Sequence, residues 1–216
     1  SIEYTFNTAV DLSVTGDYEI TSGTILGNDE DSSNDSISVI ITSQETSNCP
    51  DNYTLPIAWR DNFECYDPFI ISDIGDWIMY DLDGGTTWGA NAVDFENESY
   101  VGTGIIYNDE LATPTGGPVP EWDTFQGDQG LYFVASGANG TTIPNDDWMI
   151  SPEFSLSGIT SPIFSMKAKS VNDTYGLEKF QIAVGNSTDY NEFNVISDGA
   201  YIEASTDWTT YEFDLS

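Results

Sequence analysis

Histidine is absent from the 216 residues, and only Arg60, Lys167, Lys169 and Lys179 carry positive charge. Each shortage excludes something. Without histidine there is neither the usual transition-metal ligand nor the usual base of a nucleophilic triad. Four bases against 37 acids leave a net charge of −33. Such a chain cannot neutralise the phosphates of a nucleic acid, and an anionic membrane surface repels it. No apolar run approaches the ~18 residues of a membrane span. The first residues lack the charged-then-apolar pattern of a signal peptide, so any export signal would precede Ser1. Helical periodicity is nearly absent too. Short alternating segments punctuated by Gly, Asn, Asp and Pro take its place and predict an all-β protein.

Cysteine is scarce. Cys49 and Cys65 are the only two, with fifteen residues between them. Paired, they would staple two loops, and closing a ring of this size stabilises by about 3 kcal/mol in the chain-entropy model. A disulfide would place the chain in an oxidising, extracellular compartment. The alternative is two free thiols, buried separately.

Aromatic residues are plentiful, at 13% of the chain. That apolar load separates it from disordered acidic chains. Most of the carboxylates then face water or salt, and a minority are available for cation sites. Residues 1–46 predict three strands, at 2–6, 16–21 and 36–41, with the acidic loop Asp29-Glu30-Asp31 before the third. The segment is too short to bury a core alone, and is expected to be part of a small β-sandwich. Residues 47–58 read as a linker. From 59 to 216, strands are expected at 77–82, 92–96, 130–135, 147–154, 162–169, 178–184, 193–196 and 208–215. Residues 108–129 form a long Pro/Gly-rich loop, a length uncommon without a binding or packing role. Tyr4-x-Phe6 with Asp11-Leu12-Ser13 echoes Tyr211-x-Phe213 with Asp214-Leu215-Ser216. The second copy stops where the first runs on, so the sequence is expected to be a piece of a longer chain, cut at both ends.

Five blocks occur in a telling order: Asp61-Asn62-Phe63-Glu64; Trp77 to Trp88, with Asp81-x-Asp83-Gly84-Gly85 inside it; Asn145-x-Asp147-x-x-Ile150-Ser151-Pro152; Tyr175-Gly176 leading into 178–184; and Trp208-x-x-Tyr211-x-x-Asp214-Leu215. In these blocks residues 59–216 resemble the cleaved-adhesin, or choice-of-anchor J, domain family of secreted Bacteroidetes proteins. The resemblance implies a galactose-binding-like (MAM-like) jelly roll of two antiparallel sheets, with bound calcium. It also implies further strands after Leu215, ending in an acidic strand near the metal, which this sequence lacks. Residues 1–46 resemble, more weakly, the Ig-like repeats that precede such domains.

Calcium takes six to eight oxygen ligands. In a jelly roll the ends carrying Asp61, Glu64, Asp146 and Asp147 would converge, and one cation would neutralise the four. Asp81 and Asp83 resemble half of an EF-hand loop, without its later Glu or its helices. The alternative for all six is solvated acids at loop mouths or turns. Trp88, Trp122 and Phe125, with Tyr107 and Trp148, are candidates for a sugar-stacking platform, against the plainer reading that they are core. Glycoside hydrolysis needs only two carboxylates, but no pair stands out. Zinc lacks ligands. The expected function is therefore non-catalytic: a calcium-stabilised adhesion or display module of a secreted or cell-surface protein. Its partners would be a host or neighbouring-cell surface protein or glycan. Two alternatives stand beside it. One is an accessory carbohydrate-binding module of an exported hydrolase; the other is a filament subunit joined to its own copies by strand addition.

Overall fold

The computed structural model describes residues 16–23, 36–43, 57–138, 140–197, 199 and 201–216. The protein is all-β. The described residues contain no α-helix, only two single 3-10 turns, Pro120–Trp122 and Tyr190–Glu192. Among the described residues, seventeen short strands assemble into eight small antiparallel sheets, none of which closes into a barrel. The chain divides into two compact units, Ser1–Asn48 and Cys49–Ser216. The expected strand at 2–6, the acidic loop Asp29-Glu30-Asp31 and Cys49 lie outside the described residues.

In the first unit, β1 (Gly16–Gly23) and β2 (Ser36–Ser43) pair antiparallel over their full length. Thr21 and Ser38 sit opposite each other and their hydroxyls bond at 2.6 Å. Ile20 pairs with Val39 and Ser22 with Ile37, which puts the branched residues on one exposed face.

The second unit is organised around β6 (Ile105–Asn108), all four residues of which are buried. One edge pairs with β8 (Gln129–Tyr132). The other takes the extended Phe69–Ile70 segment, through Phe69 N to Ile106 O at 2.7 Å and Ile106 N to Ile70 O at 3.1 Å. A strand with both edges paired and both faces covered is as far from water as a short strand can be. The core around it is largely aromatic: Phe69, Val93, Tyr100, Ile105, Tyr107 and Ala112, with Phe95, Trp122 and Tyr132 against them. Burying such a ring stabilises by ~1.5–3 kcal/mol. Edge-to-face contacts such as Phe95 on Tyr107 (5.4 Å, 89°) each add about 0.5–1.5 kcal/mol.

The sequence reading missed β6, because Gly102 and Gly104 interrupt the alternation and Ile-Ile-Tyr is too short to show a period. The segment 178–184 also differs from expectation. It splits into β13 (Lys179–Phe180) and β14 (Ala183–Val184). Between them Ile182 leaves the ladder: its N–H goes to the Ser197 hydroxyl and its carbonyl accepts from Ile196 N. The expected loop 108–129 is not structureless. It contains β7 (Thr113–Pro114), which pairs with β5 (Val93–Asp94), and the 3-10 turn that delivers Trp122 to the core.

Two ribbons position the rest. β3 (Ile78–Asp81) pairs with β11 (Asp147–Ile150), and β12 (Ile163–Ala168) with β17 (Thr209–Asp214). Both β12 and β17 alternate half-buried with exposed residues, the two-residue period of a one-faced strand. No helix among the described residues is long and apolar enough to cross a membrane.

Candidate metal centre

The β3–β11 register places Asp81 directly opposite Asp147 and Tyr80 opposite Trp148. Because side chains alternate faces along a strand, the two carboxylates share one face and the two rings the other. The 3-10 turn at Tyr190 packs on the ring face: Tyr190 lies 5.0 Å from Tyr80 and 5.7 Å from Trp148. On the carboxylate face, like charges directly opposed in an antiparallel pair repel.

A third acid joins them. Just after β3 the chain turns at Asp83-Gly84-Gly85, with Gly84 at φ +61°. Gly84 N bonds Asp81 Oδ1 at 2.7 Å and Gly85 N bonds Asp83 Oδ1 at 2.8 Å. Asp83 Oδ1 also accepts from the Ser136 hydroxyl at 3.0 Å, and its Oδ2 from Asp146 N at 2.9 Å. The result is a meeting of Asp81, Asp83 and Asp147, one oxygen from each within 4.8 Å of the others.

Hydrogen bonding treats the three unequally. Desolvation would raise the Asp83 carboxyl, but the Asp146 and Gly85 N–H groups and the Ser136 hydroxyl hold it below the usual carboxylate range. Asp147 goes the other way. Burial first, then the charges of Asp83 and Asp81, push it up to about 7, against the Asn145 amide, which favours the charged form. Of the two Asp147 oxygens, Asn145 Nδ2 bonds Oδ2, at 3.1 Å. Asp147 Oδ1 is buried with no hydrogen-bond partner among the described residues. The Tyr100 hydroxyl is also buried without a partner of ordinary geometry, although the Val134 backbone lies near it. Burial, then Asp147 and Asp81, raise its pKa. An orphaned carboxylate oxygen beside two more carboxylates is a donor set that fits a hard divalent cation. The ligands are all oxygen, with no soft donor.

Asp146 contributes through its backbone, giving its N–H to Asp83 and its carbonyl to Leu82 N at 3.0 Å. Its carboxylate is exposed and is not one of the three that meet. Asp61 and Glu64 are engaged elsewhere. They lie on a turn rather than a strand, because the Asp61 carboxylate captures Phe63 N at 2.8 Å and turns the chain, leaving Phe63 at φ +68°. Asp61 Oδ2 accepts from the Tyr66 hydroxyl at 2.6 Å and from Trp77 Nε1 at 2.9 Å. Glu64 Oε1 accepts from Asp128 N at 3.0 Å and Gln129 N at 2.9 Å, tying down the loop before β8. Cys65, next to Glu64, is held in a disulfide.

Three of the five aromatic residues expected in a platform sit in different surroundings. Trp122 lies among the core rings of Phe95, Tyr107 and Tyr132. Phe125, about half exposed, packs edge-on to Trp208 at 5.7 Å beneath Lys167 Nζ. Trp88 lies across Gly137, where a Cβ would collide with its ring. No local pattern marks the network that includes Phe125 and Trp208. In it Lys169 bonds Asp123 Oδ1 and the Glu121 carbonyl, and Trp208 Nε1 bonds Asp123 Oδ2 at 3.1 Å.

No family model matches this chain. Neither a curated protein nor a solved structure matches it either.

Proposed function

We propose that this chain is a non-catalytic adhesion or display module of a secreted or cell-surface protein, stabilised by a divalent cation held by Asp81, Asp83 and Asp147. On this reading the cation is calcium. The second unit belongs to the cleaved-adhesin type of jelly roll, the first is part of an Ig-like sandwich, and the partner is a surface protein or glycan of a host or neighbouring cell. The observation that carries the reading is the buried Asp147 Oδ1, without a hydrogen-bond partner among the described residues, on a carboxylate that meets those of Asp81 and Asp83. Removing an unpaired buried charge from water is costly, and a bound cation converts that cost into binding energy. The disulfide at Cys65 and the net charge of −33 suit an oxidising, saline exterior.

Thermal unfolding in EDTA, then in excess calcium or magnesium, tests this. At a concentration a hundredfold above Kd, calcium should stabilise by about 2.7 kcal/mol. Magnesium should do less, because it demands a tighter octahedral shell. Identical melting curves in EDTA and in calcium at low salt would sink the cation reading.

A second reading, assembly by strand addition, is favoured by one observation. Among the described residues β17 pairs with β12 alone, leaving its other edge without a ladder. Sedimentation over a wide concentration range tests it. Association that stops when a proline replaces an edge residue of β17 supports it, and a concentration-independent monomer counts against it.

A further inference from the structure

A cleft of about 520 Å³ opens at the border of the aromatic core, lined among others by Phe69, Phe95, Leu111, Asp94 and Glu96. The stacked pair Phe69 and Phe95, with centroids 5.9 Å apart, lines it, Phe69 being all but buried. Its wall is Leu111, 60% exposed although apolar. That wall is rigidly mounted: Leu111 N bonds Asn108 Oδ1 at 2.9 Å and Ala112 N bonds Asn108 O at 3.1 Å. Along the neighbouring segment Val93 turns into the core while Asp94 and Glu96 remain exposed. Neither of these carboxylates has a hydrogen-bond or ion-pair partner among the described residues.

We infer that this cleft is a docking site for a basic segment of a partner protein, taking a Lys or Arg side chain with its stem on Leu111 and Phe95 and its cationic head at Asp94 and Glu96. The charge complementarity selects this occupant. Lys and Arg combine an apolar stem with a charged tip, and aromatic faces attract cations. A neutral apolar ligand would desolvate two carboxylates without compensation. An anionic one is repelled by the field of a chain with net charge −33. A second copy of this chain is a poor source of the cation. Lys169 is paired with Asp123 and Lys179 with Glu203, Lys167 bonds Thr210, and two copies repel each other. The inference deepens the adhesion reading and rests on it, with a basic partner steered by the acidic surface. It does not depend on the cation site.

The test uses the full chain and a capped tetralysine peptide, followed by chemical shifts and calorimetry. Tetralysine should shift the Leu111 methyls and the Asp94 and Glu96 amides, whereas its fully Nε-acetylated analogue should not. Asp94→Asn with Glu96→Gln should weaken binding about tenfold, the size expected for losing a close charge pair. The charge-matched control Glu153→Gln with Asp173→Asn, two exposed acids away from the cleft, should change it less than about twofold. The inference is overturned if shifts spread evenly over the acidic surface, if both double variants weaken binding equally, if the acetylated peptide binds as well, or if tetralysine does not bind. Any of these would leave the calcium melting experiment unaffected, so the two readings fail separately.

Discussion

Two groups of acids in the second unit behave in opposite ways. Around Asp61 and Glu64 the oxygens are filled by protein donors: Phe63 N, the Tyr66 hydroxyl and Trp77 Nε1 on one carboxylate, Asp128 N and Gln129 N on the other. Around Asp147 they are not. Three carboxylates meet, and although Asp81 and Asp83 accept from protein donors, the buried Asp147 Oδ1 has no hydrogen-bond partner among the described residues. A carboxylate thus serves as a filled structural acceptor in one place and keeps an unfilled oxygen in the other. What separates them is the supply of N–H and O–H groups, not the number of acids.

Four measurements would break or sharpen this contrast. The largest effect is expected at Asp61. Replacing it with Ala orphans three donors, and the loss should be about 3 kcal/mol in urea unfolding, the same in EDTA and in calcium. Gly127→Ala comes next. Gly127 has φ +73°, and a Cβ there would meet the Glu64 carboxylate. A loss of about 2 kcal/mol, again indifferent to calcium, is expected from strain and the displaced acceptor. Asp147→Asn should have the opposite sign in EDTA. It removes a repelled charge from a partly buried site and should stabilise the metal-free protein by roughly 1 kcal/mol while abolishing the calcium response. If Asp147→Asn instead destabilised as Asp61→Ala does, and calcium still acted, the two groups would not differ.

The smallest effect concerns a third, filled carboxylate. Asp123 is held below the usual range, against desolvation, by Lys169 and Trp208 Nε1. A group whose folded pKa is depressed supplies stability above its unfolded pKa and loses it as pH falls through the folded value. The wild type should therefore lose its small advantage over Asp123→Asn as pH drops below the ordinary carboxylate range. Acid unfolding midpoints compared between the two proteins read this directly. The Asp123 carboxylate is nearly half exposed, which screens the pair from that side, while the Lys169 side chain is only 7% exposed.

Much of the secondary structure was legible locally. Alternation marked β1, β2, β12 and β17, and Asp-x-Asp-Gly-Gly marked the turn after β3, because these signals lie within a few residues. The central strand was not legible, since what makes Ile105–Asn108 the core is the burial of both faces and the pairing of both edges. The acids were legible only as nominations. Asp61, Glu64, Asp81, Asp83, Asp146 and Asp147 all stood in plausible places. Choosing among them needed the β3–β11 register and the location of every nearby donor. The aromatic residues followed the same rule: Trp122 stood in a Pro/Gly-rich loop, yet its ring belongs to the core.

By itself, then, the amino-acid sequence determined the all-β class, the scarcity of cations and the excess of carboxylates over any partners the chain could offer. Composition and short-period patterning are enough for those, because each is a property of single residues or near neighbours. Tertiary structure alone decided which carboxylates are satisfied and which remain open. Asp81 and Asp147 are far apart in the chain and become neighbours only through strand pairing. Tyr66 and Trp77 reach Asp61 only because a captured N–H bends the backbone between them. A hydrogen bond is set by ångströms and angles, and no local pattern specifies those across distant segments.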